Sequence, residues 1–181
     1  MNHQHLESHL RDRGLMLEKY SDVFVSETDG IATFLLWNLS GQLVGYQVYN
    51  PNGTKKEKTN LKNMKYRTQV GGSFHQPVWG LCSIRPETKV VFLVEGVFDA
   101  AKLHATGFAA LAIFSSAGSK QLTQFLNLLP YRLISILDND DSSKSFSSFS
   151  DVILVTPSPY KDVGEMPIEE LKNFLNEHCP Q

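Results

Sequence analysis

The feature that most constrains the fold is a continuous apolar run, Val90-Val-Phe-Leu-Val94, in the second half of the 181-residue chain. Five consecutive apolar residues, three of them valine, are typical of a strand that is buried on both faces. Such strands belong to parallel sheets that are covered by helices. Three more apolar runs follow, at residues 109–114, 133–137 and 152–155. The pattern predicts a four-stranded parallel sheet.

Helix-like segments separate and follow these runs, at residues 98–104, 120–129 and 167–177. Pro130 ends the second segment, and Pro167 suits the first turn of the third. Strands that alternate with helices indicate βαβ units. We therefore predict an α/β domain over residues 86–181.

The first half of the chain has a different pattern. A short amphipathic helix is predicted within residues 1–20. Two β-type segments, Ile31–Trp37 and Leu43–Tyr49, flank a turn-like stretch at residues 38–42. We predict a small α+β subdomain over residues 1–85.

Carboxylates follow two of the predicted buried strands. Glu95 comes directly after the first strand and Asp99 lies in the first turn of the next helix, whereas Asp138 and Asp140 follow the third strand. In open α/β sheets, ligands collect outside the carboxyl ends of the strands. Carboxylates that converge there repel one another unless a cation neutralises them, and hard oxygen ligands suit Mg²⁺. Each motif alone reads better as a solvated turn, but both together in this order favour a metal site.

The two acidic motifs resemble the Toprim domain of primases, topoisomerases and some nucleases. The resemblance lies in Val-Glu95-Gly-x-x-Asp99 and Leu-Asp138-x-Asp140, with the intervening Ser116-Ala-Gly-Ser119 loop. It implies that Glu95 acts as a metal ligand or general acid/base, that Asp138 and Asp140 hold Mg²⁺ or Mn²⁺, and that Asp99 supports the site.

The first half resembles the subdomain that precedes Toprim in bacterial and phage-type DNA primases. The similar stretches are a glycine-containing hairpin at residues 41–46, the Lys65-Tyr66-Arg67 step and Val78-Trp-Gly-Leu81. A Lys161-Asp162 step after the fourth strand also resembles phage primases. One departure is Tyr49, near the position where primases tend to carry an arginine.

Residues 55–67 are markedly basic, with six lysines and arginines against the single acid Glu57. Lys56 and Lys65 are candidates to neutralise template or nucleotide phosphates, and Tyr66 to stack on a base. Arg67 and Lys161 complete the predicted nucleotide-binding and nucleic-acid-binding set. A solvated surface loop explains the basic run equally well.

The leading hypothesis is a small phage-type DNA primase, a Mg²⁺-dependent nucleotidyltransferase that makes RNA primers from NTPs on single-stranded DNA. Two alternatives stay open, a Toprim nuclease and a non-catalytic module that binds nucleic acid or a replication protein. The sequence has no CxxC pair that would indicate a zinc module, and no helicase segment follows. Separate zinc-binding and helicase partners are therefore expected. No apolar run approaches the roughly 20 residues of a membrane span. The expected location is the cytoplasm, that of a host if the protein is phage-encoded.

Overall fold

The computed structural model describes residues 4–72, 76–114, 120–139 and 149–178, without the side chains of residues 4 and 5. The chain divides into two compact units, residues 1–79 and residues 80–181. We refer to them as the N-terminal and the C-terminal unit. The change of unit lies at Trp79 and Gly80, slightly before the boundary predicted at residues 85 and 86.

The N-terminal unit combines one helix with an antiparallel sheet. Helix α1 is Gln4–Asp12, and a 3₁₀ turn follows at Leu17–Lys19. The strands of the sheet pair in chain order, β1-β2-β3-β4. They are β1 Val23–Ser26, β2 Ile31–Trp37, β3 Leu43–Tyr49 and β4 Tyr66–Val70.

One face of this sheet, which we call the inner face, forms the core of the N-terminal unit. Ala32, Phe34 and Leu36 alternate along β2 and are fully buried. The ring of Trp79 meets that of Phe34 edge-on, with 5.6 Å between centroids. Leu10 of α1 is also fully buried. Because successive side chains of a strand point to opposite faces, the residues between these buried ones form an outer face.

Asp22 is a buried carboxyl group just before β1. Its Oδ2 accepts a hydrogen bond from the indole nitrogen of Trp37 at 3.1 Å. Burial raises the pKa of Asp22, and the hydrogen bond from Trp37 offsets only part of that effect.

The C-terminal unit contains the predicted four-stranded parallel sheet, flanked by helices. Its strand order is β6-β5-β7-β8, with every neighbouring pair parallel. The strands are β5 Val90–Val94, β6 Ala110–Ala112, β7 Arg132–Leu137 and β8 Val152–Val155. The helices are α2 Val97–Ala105, α3 Lys120–Leu126 and α4 Ile168–His178, with 3₁₀ turns at Leu81–Ser83 and Val163–Glu165. The predicted α/β class is confirmed.

The first residues of the C-terminal unit are fixed against β6. Gly80 has a φ of +105°, and a Cβ there would lie 2.5 Å from the carbonyl oxygen of Ala110. Ser83 Oγ accepts a hydrogen bond from Ala110 N at 3.1 Å. The residues just after Gly80 therefore belong structurally to the parallel sheet, which explains why the unit begins there.

Candidate metal site and basic loop

Two of the predicted acidic residues lie at the ends of neighbouring strands. Strands β5 and β7 pair in parallel, with Leu93 opposite Ser135. Glu95 lies two residues beyond Leu93, and Asp138 lies three beyond Ser135. Adjacent strands are about 4.8 Å apart. Glu95 and Asp138 therefore lie at the same end of the sheet, beyond the carboxyl ends of the strands. The order β6-β5-β7-β8 makes β5 and β7 the two central strands.

Glu95 is exposed, but its backbone is fixed. Its carbonyl oxygen accepts a hydrogen bond from Phe114 N at 3.1 Å, which extends the pairing of β5 with β6. Within the described residues, the Glu95 carboxylate makes no hydrogen bond or ion pair. It stands on a rigid strand end with its oxygens available to a ligand.

Asp99 occupies a different position from Glu95, in the first turn of α2. Its Oδ1 accepts a hydrogen bond from Gly164 N at 2.9 Å. A Cβ on Gly96 would lie 2.8 Å from Asp99 Oδ2, so the glycine of the Glu-Gly step leaves room for this carboxylate. Lys102, one turn later on α2, directs its Nζ to Gly164 O at 3.5 Å. Asp99 thus joins α2 to the segment that follows β8.

That segment, residues 161–165, is also joined to the end of β7. Asn139 N donates a hydrogen bond to Lys161 O at 2.7 Å. Within the segment, Glu165 Oε2 accepts from Lys161 N at 2.9 Å, and Asp162 Oδ1 accepts from Glu165 N at 3.1 Å. Lys161 is exposed and its backbone is bonded directly beside the Asp138-Asn139 strand end.

The donor chemistry of this edge fits a hard divalent cation. Glu95 and Asp138 supply carboxylate oxygens, and Mg²⁺ is usually held by one or two carboxylates together with waters and phosphate oxygens. Asp140 lies outside the described residues, as does the Ser116–Ser119 loop. Among the residues that are described, no group of three or more His, Cys, Asp or Glu side chains is arranged for a metal.

The basic run forms a loop between β3 and β4, which we call the basic loop (residues 54–65). An isolated bridge between Thr54 and Met64 closes it. Glu57, the single acid, pairs with backbone rather than with lysine. Its Oε1 accepts from the backbone nitrogens of Lys58, Thr59 and Asn60 at 2.8–3.0 Å and from Thr59 Oγ1 at 2.8 Å. These hydrogen bonds lower the pKa of Glu57 to about 2.

The lysines of the basic loop therefore keep their charge unopposed. In the described parts of the chain the ion pairs are Arg11–Glu18 and Lys172–Glu169. Neither involves a residue of the loop. Lys56 is exposed and Lys65 is half-buried next to β4.

Tyr66 and Arg67 begin β4 and point to opposite faces of the antiparallel sheet. The ring of Tyr66 packs on Tyr49, with 5.2 Å between centroids, and its hydroxyl accepts a hydrogen bond from Arg13 Nη1 at 3.1 Å. Arg13 also lies over the Tyr49 ring, with 5.6 Å from its guanidinium carbon to the centroid. Arg67 lies opposite Val48 on the outer face.

Several residues that shape these sites were not singled out by the sequence analysis. Asn139, Lys102 and Gly164 hold the 161–165 segment, and Arg13 supplies a cation to the Tyr49 and Tyr66 rings. Their contacts bridge 22 to 65 positions along the chain, which no local pattern reveals. The Lys161-Asp162 step was the only local signal for that segment.

No helix in the described ranges is long and apolar enough to cross a membrane. No protein-family model matches the chain, and no curated protein matches its sequence.

Solved structures match it in fold. The zinc-binding and RNA polymerase domains of the Aquifex aeolicus primase superpose with a TM-score of 0.65 at 16% identity, over 94% of this chain and 55% of that one. The primase fragment of the bacteriophage T7 primase-helicase protein gives 0.65 at 13% identity, over 93% and 72%. A DnaG primase catalytic domain bound to single-stranded DNA gives 0.61 at 16% identity, over 94% and 57%.

The chain thus spans a little more than half of the Aquifex structure. Both units take part, since the matches cover nearly all of its residues. The chain has the fold of a DNA primase catalytic core.

Proposed function

We propose that the protein is a primase-type nucleotidyltransferase that joins nucleotides on a single-stranded DNA template. The observation that carries this proposal is the position of Glu95 and Asp138, on neighbouring central strand ends, within a fold that matches primase cores. The Toprim assignment of the C-terminal unit and the phage-type character belong to the same proposal.

In the proposed reaction, a nucleotide 3′-hydroxyl attacks the α-phosphorus of an incoming NTP. The new phosphodiester bond forms as the bond to pyrophosphate breaks, and the hydroxyl proton leaves to a base. Glu95 is the candidate base, because it is exposed at a fixed strand end. Lys161, whose backbone is bonded to Asn139, would meet phosphate charge beside Asp138.

Glu95, Asp138 and Asp140 would hold Mg²⁺ or Mn²⁺. When bound, such a cation polarises the phosphorus and neutralises phosphate charge. Asp99 has a supporting role, since one of its oxygens already binds Gly164 N. Lys56 and Lys65 of the basic loop, with Arg67 and Tyr66, would contact template or nucleotide.

The test is primer synthesis from NTPs on single-stranded DNA with Mg²⁺ or Mn²⁺. Glu95→Gln and Asp138→Asn should each reduce product by about a hundred-fold or more. Glu87→Gln is the matched control, because Glu87 is an exposed carboxylate just before the opposite end of the same strand β5, and it should leave synthesis unchanged.

Two outcomes would overturn the proposal. One is equal product from wild type and Glu95→Gln. The other is metal-dependent cleavage of DNA or RNA without added NTP, which would identify a nuclease instead.

A further inference from the structure

Lys102 is a buried lysine that has no role in the proposed reaction as described so far. It lies on α2 and is only 8% exposed. Lysine is rarely buried to this degree, because removing an ammonium group from water is costly unless other groups compensate its charge. An apolar side chain of similar size would fill the same space without that cost. We therefore expect the ammonium group to do more than pack.

The contacts of Lys102 lead to one residue, Gly164. The Nζ of Lys102 lies 3.5 Å from the carbonyl oxygen of Gly164. Asp99, one turn earlier on α2, accepts a hydrogen bond from the nitrogen of Gly164 at 2.9 Å. Residues that are three apart on a helix share a face. A cation and an anion on one face of α2 thus hold the carbonyl and the amide of the same residue.

Gly164 lies in the 3₁₀ turn Val163–Glu165, and this turn fixes the backbone of Lys161. Glu165 Oε2 accepts a hydrogen bond from Lys161 N at 2.9 Å. On the other side, Lys161 O accepts a hydrogen bond from Asn139 N at 2.7 Å, directly after Asp138. The backbone of Lys161 is therefore held from α2 through the turn and from β7 through Asn139.

We propose that Lys102 is a positioning residue for the proposed nucleotidyl transfer. Lys161 is exposed beside the strand end that carries Asp138, whereas Lys102 is buried. Lys102 acts on the reaction through Gly164: together with Asp99 it holds the turn, and the held turn keeps Lys161 at the place where the triphosphate of an NTP would bind. The inference rests on the proposed function and adds to it a residue that no sequence pattern singled out.

The first measurement is amide hydrogen exchange of the full chain, without metal or NTP, followed by mass spectrometry. Lys102→Met keeps most of the side-chain length and removes the charge. It should speed exchange in the peptide that covers residues 161–165 by roughly five-fold or more, and leave exchange in β5 within about two-fold. Lys172→Met is the matched control, because Lys172 belongs to the same unit but its side chain is 40% exposed, and it should exchange like wild type.

Two further variants keep this measurement decisive. Asp99→Asn/Lys102→Met removes both charges, so it leaves no carboxylate without its cation and should show the same local acceleration even if Lys102→Met alone does not fold. Lys102→Arg keeps a cation that can donate to Gly164 O and should restore most of the protection. Wild-type exchange at residues 161–165 in Lys102→Met would overturn the proposal. Equal acceleration in β5 and in the turn would also overturn it, because that result indicates a loss of overall stability alone.

The second measurement is primer synthesis, which tests whether Lys102 acts through Lys161. Lys161→Ala should lower kcat/KM for NTP by roughly ten-fold, and Lys102→Met by roughly three-fold or more. Lys102→Met/Lys161→Ala should be no slower than Lys161→Ala, because the lysine to be positioned is already absent. Losses that multiply in the double variant would overturn the positioning role. If wild type makes no primer, the proposed function fails, while the exchange measurement still decides whether Lys102 holds the turn.

Discussion

At the scale of single residues, Asp22 is a buried carboxyl group whose pKa makes stability depend on pH. Its carboxyl group is buried beside two indole rings, and burial raises its pKa above the unfolded value of 3.8. A raised folded pKa means that the stabilising contribution of Asp22 is complete below pH 3.8. That contribution is lost as the pH rises through the folded pKa. At neutral pH the protein therefore buries a charge at a net cost.

Asp22→Asn removes that charge and keeps an oxygen for the Trp37 indole N–H. We expect it to raise the melting temperature at pH 7 by a few degrees, about 2–8 °C. The difference from wild type should shrink as the pH falls towards 4. Thermal denaturation across this range checks both statements, with Asp12→Asn, an exposed carboxylate of the same unit, as the control. A lower melting temperature at pH 7 would contradict the account.

At the scale of elements, Asp99 joins helix α2 to the 161–165 segment. Asp99→Ala removes the acceptor of Gly164 N and should cost roughly 1–3 kcal/mol of unfolding free energy, because this is a charge-assisted hydrogen bond. Asp99→Asn keeps an acceptor and should recover most of the loss. Urea denaturation measures the stability of each variant.

The same pair of variants separates support from metal binding. If Asp99 acts by holding the segment, Asp99→Asn should leave the Mg²⁺ concentration for half-maximal primer synthesis within about two-fold. Asp138→Asn should change that Mg²⁺ concentration by more than about two-fold. An Asn variant as inactive as Asp138→Asn would show that the Asp99 charge itself is needed at the cation.

The conformation of the basic loop depends on the hydrogen bonds that Glu57 accepts from the loop backbone. The pKa of Glu57, lowered to about 2 from 4.5, means that its stabilising contribution is present above pH 4.5 and is lost as the pH falls through about 2. At pH 7, Glu57→Ala should expose the loop and speed tryptic cleavage after its lysines, whereas Glu57→Gln should fall between. The melting temperature should change little, and cleavage at the wild-type rate in Glu57→Ala would refute this role.

The strands differ from one another in how well the sequence predicts them. Strands β2, β3, β5 and β8 have the predicted bounds, because alternating or continuous apolar runs end sharply in polar turns. Strands β1 and β4 were not predicted. Both are edges of the antiparallel sheet, and β4 carries the polar Arg-Thr-Gln sequence that exposed edges favour. The strand predicted at residues 109–114 is shorter in the structure, at Ala110–Ala112.

The candidate site was predictable only in part, for a similar reason. Parallel pairing follows from βαβ patterns, so the sequence alone placed Glu95 and Asp138 at the carboxyl ends of parallel strands. The strand order that makes β5 and β7 neighbours came from the structure. The contacts of Asn139 and Gly164 depend on backbone groups, which every residue type carries. Tyr66 and Arg67 point to opposite faces because both belong to β4, a strand that was not predicted. The roles of Glu95, Asp99 and Asp138 in catalysis stay predictions.

At the scale of the whole molecule, charge is divided between the two units. The N-terminal unit has nine lysines and arginines against seven acids, and the C-terminal unit has eight against twelve. A near-neutral total of −2 thus conceals a basic unit with an unpaired loop and an acidic unit with the candidate cation site. This division agrees with the proposed function, in which one part would hold a polyanion and the other a metal.

Two units with separate cores should not unfold as one. Calorimetry should give a transition enthalpy larger than the van't Hoff value, or two resolved transitions. Mg²⁺ should raise only the transition of the C-terminal unit, by mass action on its folded state. Asp22→Asn should shift only the transition of the N-terminal unit. A single two-state transition that both changes shift equally would contradict this independence.

The positions of the two tryptophans have a practical consequence. Trp37 lies on β2, Trp79 is fully buried against Phe34, and the C-terminal unit has none. Indole emission is therefore a natural optical label for one unit alone. Emission intensity during unfolding reports the antiparallel sheet, while far-ultraviolet circular dichroism reports both units together. The difference between the two signals isolates the unit that carries Glu95, without any dye or engineered probe.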